Sequence, residues 1–136
     1  MYGCGIRAPH SPPEHRGNMQ LNEYPQAIAD LQQELLHIEQ HLRQSRESVA
    51  FCLNAIDRAI AFNQELKNDQ QRKAKRTDLM ERDSDLIKSS TELKRLEDVK
   101  AELEIDLSLL RNTFSLLKLE RREAIAQMEL NSSLAA

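Results

Sequence analysis

After Pro25 the chain has neither proline nor glycine, and over most of that length leucine and isoleucine recur at alternating steps of three and four. Proline and glycine are the residues that stop helices, and a three–four repeat keeps apolar side chains on one side of a helix. Such a chain has few options. It forms long helices, and each must bury a stripe against another helix. From Ile28 the steps run through Ile28, Leu31, Leu35, Ile38, Leu42, Ser45, Val49, Cys52, Ile56, Ala59, Asn63 and Leu66, and ten of these twelve are apolar. With 30% charged residues, 4% aromatics and no Trp, the chain suits a thin fold with a striped core better than a compact globule.

The repeat lapses between Leu66 and Leu79, where Ala74 is the only apolar residue, and then resumes through Leu86, Leu93, Leu96, Leu103, Leu107, Leu110, Phe114 and Leu117. The expected fold is therefore all-α: a long antiparallel helical hairpin of coiled-coil type. Its predicted helices cover about 25–67 and about 78–130, joined by a turn at about 68–77. Asn22 and Pro25 suit a helix entry, Asn68 and Asp69 the turn, and Thr77 or Asp78 the cap of the second helix. Pairing Leu66 with Leu79 then sets Cys52 against Leu93, Leu42 against Leu103 and Leu31 against Phe114. It also brings polar Ser45 to Lys100 and Asn63 to Arg82, whereas a slide of one heptad sets Ser45 against Leu107. Polar groups sharing a layer cost less than a polar group packed on Leu, which favours the first register. Ser89-Ser90-Thr91 is a weak point, with Ser89 and Glu92 at capping-box spacing, so the second helix either runs through it or bends there.

One seam leaves apolar residues over. Ile105, Leu109, Leu116 and Leu119 fall on the far side of the second helix, and Leu53, Ile60 and Phe62 widen the stripe of the first. Ala124, Ile125, Met128 and Leu130 continue beyond the reach of the first helix. An uncovered stripe of this length marks association, so the hairpin is expected to pair with a second copy in a four-helix bundle dimer through Ile105, Leu109, Leu116 and Leu119. Residues 1–18 hold all three glycines and three of the four prolines, and read as a disordered tail before a coiled-coil region over 19–130. Met19, directly after it, is an alternative start of translation, and residues 131–136 read as a frayed end.

Chemical signatures are sparse. His37 and His41 share a helix face, but Ile38 stands where a zinc-protease pattern needs Glu, so both read as solvated surface. Cys52 lies on the seam and reads as a buried thiol, while Cys4 falls in the tail as a free one. No phosphate loop, nucleophile elbow, dinucleotide fingerprint or zinc spacing occurs, so no enzyme, no metal site and no cofactor is expected. The absence of a membrane-length apolar run and of a disulfide framework points to a cytoplasmic protein. The densest local feature is basic: Lys67, Arg72, Lys73, Lys75 and Arg76 against Asp69 alone. Such a cluster could neutralise phosphates, or simply keep a turn solvated; no aromatic residue is interleaved for base stacking.

The segments ELKNDQQRKAKR, Glu65 to Arg76, and ELEIDLSLLRNTFSLLKLERREAIAQMEL, Glu102 to Leu130, resemble small uncharacterised coiled-coil proteins of cyanobacteria and of phage and mobile-element gene sets. The resemblance spans Leu21 to Leu130 and implies the fold and a DNA-related context, with no activity attached. The expected function is that of a non-enzymatic oligomeric interaction or scaffold protein. The rival expectation is a DNA- or RNA-associated accessory factor using the basic tip.

Overall fold

The computed structural model describes residues 19–135. A short 3-10 turn over Leu21–Glu23 leads into α1, Tyr24–Ala61, followed by α2, Asp69–Arg82, and α3, Ser84–Ala135. Among the described residues there is no strand. The tail expected over 1–18, with Cys4, lies outside the described residues. The described residues divide into two compact units, one of residues 38–100 and one of residues 19–37 together with 101–135.

In the unit of residues 38–100, Cys52, Ile56 and Leu86 form a buried cluster, with Val49, Leu53, Ile60, Leu79 and Met80 packed against it. Leu42 and Leu96, the most completely buried large side chains, belong to the same unit, as does Ile38. The Lys100 ammonium pairs with the Glu39 carboxylate. Since Cys52 lies with Leu86 and Glu39 with Lys100, α1 and α3 are antiparallel in this unit. The predicted seam paired Cys52 with Leu93 and Ser45 with Lys100, so the register is one heptad away from the expected one.

The cause is at the turn. Leu66 is in a loop and Leu79 belongs to α2, so the pair from which the register was counted does not exist as a layer. Asn68 begins α2 by accepting the Gln71 N–H at 2.9 Å, while Gln71 Oε1 accepts the Lys67 N–H at 2.7 Å. The stretch expected to turn, 68–77, is thus mostly helix, and the turn is 62–68. Asp-Gln-Gln-Arg-Lys-Ala-Lys-Arg is made largely of good helix formers; with Ala74 its one apolar residue, the helix was hidden, because periodicity is carried by apolar residues alone. Thr77 and Asp78 are inside α2 rather than at its start.

Asp83 ends α2 and starts α3. Its backbone leaves the helix at φ −78°, ψ 104°, and its N–H still reaches the Leu79 carbonyl. Its carboxylate oxygen accepts the N–H groups of Asp85 at 3.0 Å and Leu86 at 3.1 Å, closing the open end of α3. The break occurs here and not at Ser89-Ser90-Thr91, where the helix is continuous and Thr91 Oγ1 donates to the Ile87 carbonyl at 2.8 Å.

In the other unit, Tyr24 is buried and stacks on Phe114 with ring centroids 5.6 Å apart and planes 5° from parallel. The predicted partner of Phe114 was Leu31, again one heptad away. Lys118 Nζ sits 4.4 Å from the Phe114 centroid, within cation–π range of the ring. Leu31, Leu103, Leu107 and Leu110 complete the buried stripe. The entry is held by the Gln20 N–H donating to Glu23 Oε2 at 2.9 Å, so Gln20 holds the role expected of Asn22. The helix continues to Ala135, through residues expected to fray.

The register has a stability consequence. Leu96 is buried and Leu93 is half-buried. Leu96→Ala should cost about 3 kcal/mol, within the range for a buried leucine, and Leu93→Ala about half that or less. Urea unfolding of both variants checks this, and equal losses would contradict the register.

Candidate interaction surface

The distinctive surface is on the long helix α3. Leu103, Leu107 and Leu110 are buried, while Ile105, Leu109, Leu116 and Leu119 on the opposite side are between 54 and 69% exposed. At about 100° per residue these four fall within one side of the helix roughly a quarter-turn wide. From Lys118 to Ala135 every residue is exposed, including Leu119, Ile125, Met128, Leu130 and Leu134. Single exposed leucines are ordinary, but a continuous row is a surface that water disfavours.

The expected widening of the α1 stripe divides in two. Leu53 and Ile60 are half-buried against the Cys52 cluster, whereas Phe62 is 83% exposed at the start of the turn. Phe51, which the periodicity did not single out, is exposed as well.

The basic residues stand on or beside α2 rather than in a loop. Lys67, Arg72, Lys73 and Lys75 are exposed, and Arg76 is half-buried. Arg76 Nε donates to Asp57 Oδ1 at 2.8 Å, and its Nη1 lies 3.3 Å from Met80 Sδ, so it fastens α2 to α1. Arg72 pairs with Asp69 at 3.1 Å and Lys75 approaches Asp78 at 4.0 Å. Lys67 Nζ donates to the Gln64 carbonyl at 3.0 Å. The acids of α1 and α2 thus draw on three of the five cations, which the linear count of charges against Asp69 alone did not show.

Burial, reinforced by the carboxylates of Asp83 and Asp85, pushes the Cys52 thiol up, away from the thiolate that nucleophilic chemistry requires. Gln33 Nε2 lies 3.5 Å from His37 Nε2. Among the described residues no group of three or more His, Cys, Asp or Glu is placed to hold a metal ion, and no helix is long and apolar enough to cross a membrane. No family model, curated protein or solved structure matches the chain.

Two glutamates carry the local electrostatics. The hydrogen bond from Lys100 holds the Glu39 carboxyl below its ordinary value, and Arg95, bonding Glu92 through two nitrogens at 2.9 and 2.7 Å, does the same there. A carboxylate whose folded pKa is lowered adds stability above its unfolded pKa and loses it as pH falls through the folded one. Stability should therefore decline on acidification below the ordinary glutamate range, and Glu39→Gln should flatten part of that decline. Thermal melting across acidic pH measures it; an unchanged acid limb in the variant would remove Glu39 from the account.

Proposed function

We propose that this chain is a non-enzymatic interaction protein: a helical hairpin that self-associates through the outer side of α3, pairing two hairpins in a four-helix region. The observation that carries the reading is the exposed row Ile105, Leu109, Leu116 and Leu119 opposite the buried Leu103, Leu107 and Leu110. One neighbouring helix covers one side of α3 only. The free energy of covering the other side, roughly 1.5–3 kcal/mol for each fully buried large side chain, is large enough to drive assembly. Because assembly buries surface the single chain leaves open, stability should rise with protein concentration.

Sedimentation equilibrium tests this. The wild-type chain should be a dimer at tens of micromolar, and Leu109→Glu with Leu116→Glu should be monomeric, because the two carboxylates would lose hydration on assembly. A wild-type monomer in that range would defeat the proposal.

A second reading places nucleic acid at α2, with the exposed Lys67, Arg72, Lys73 and Lys75 in its favour. The ion pairs to Asp69, Asp78 and Asp57 lower the charge left for phosphates, and so rank it second. A mobility shift that weakens steeply with salt and with Lys73→Glu would support it.

A further inference from the structure

We propose that the occupant of the outer side of α3 is a second copy of the same helix, running antiparallel about a two-fold axis between Leu117 and Lys118. The proposal rests on the self-association reading and adds the orientation and register.

The outer side continues at three–four spacing beyond its apolar centre: Glu102, Ile105, Leu109, Asn112, Leu116, Leu119, Glu123, Ala126, Leu130 and Ser133. All ten are exposed, and all belong to one compact unit. Three of them, Glu102, Asn112 and Glu123, are polar groups too large or too charged to bury beside leucine without cost. They make registers distinguishable.

With the axis between Leu117 and Lys118, Leu116 meets Leu119 of the second copy, Ile105 meets Leu130, and Leu109 meets Ala126. Glu123 meets Asn112, whose amide N–H can donate to the carboxylate, and Glu102 meets Ser133, whose hydroxyl can do the same. Every apolar residue meets an apolar one and every polar residue a polar one. The two flanks agree. Asp106 comes near Gln127, Thr113 near Glu120, Ser115 near Arg122 and Ser108 near Glu129, with no like charges face to face.

The alternatives lack this. Moving the axis by half a heptad toward the N-terminus sets Asn112 on Leu116 and Glu123 on Ile105. Moving it the other way sets Glu123 on Leu119 and Asn112 on Leu130. A parallel pair in register sets Glu102 on Glu102 and Glu123 on Glu123. Within the chain the 62–68 loop and α2 tie α1 to α3 and override side-chain matching; between two copies no such connection intervenes, so matching decides.

Charge substitutions at the exposed position 112 test the pairing by sedimentation equilibrium at low salt, with circular dichroism confirming unchanged helicity. Asn112→Lys places a cation against Glu123 of the second copy and should tighten the dimer about fivefold; Asn112→Glu should loosen it about tenfold. Asn112→Glu combined with Glu123→Lys should recover an affinity near wild type. A folding defect could imitate the loss but not the gain or the recovery. A parallel pair would set the introduced lysine against its own counterpart in the second copy, and so would loosen in the first variant. A dimer that Asn112→Lys leaves unchanged or weakens, or that the double variant does not recover, overturns the antiparallel register while self-association stands. A wild-type monomer overturns both.

Discussion

One helix cannot bury two opposite sides against a single neighbour. The two sides of α3 show that constraint. Its inner side, with Leu103, Leu107 and Leu110, is buried within its own chain, and Phe114 stacks on Tyr24. Its outer side carries Ile105, Leu109, Leu116 and Leu119 in the open. An aqueous globule would place charges there, as α2 does along most of its length. Beyond Leu117 every described residue of the helix is exposed, yet apolar residues recur as far as Leu134.

Asp83 is the complementary constraint at the other end. Asp83 both ends α2 and caps α3, so the run from Asp69 to Ala135 is two helices rather than one. The break lets Leu79 and Met80 turn onto the Cys52 cluster, and Arg76 fasten the arrangement through Asp57. The unit of residues 38–100 therefore holds a small three-helix core, in which Cys52 is buried among apolar neighbours and its thiol pushed up.

The three–four spacing made the helical class and the two stripes of α3 legible, because spacing is a property of one helix and needs no partner to read. Register was not legible. It depends on where α1 ends, and Leu66 continues the heptad pattern although the helix stops at Ala61. The helix of residues 69–82 was missed for a related reason, since it has almost no apolar residues for a periodicity to act on. Asp83 stands among Arg82, Ser84 and Asp85 and looks like any polar surface stretch; its capping role appears only when its carboxylate is seen on the N–H groups of Asp85 and Leu86. Linear charge counting likewise overstated the basic cluster, because Asp57 and Asp78 lie outside its window and meet it in space.

On this account the C-terminal part of α3 is held by a second copy of the chain. Hydrogen exchange of the amides from Lys118 to Ala135, followed over a hundredfold dilution, tests it most directly. Protection there should fall on dilution while the amides around Leu42 and Leu96 stay protected. Protection of residues 118–135 that does not change with concentration would contradict the claim.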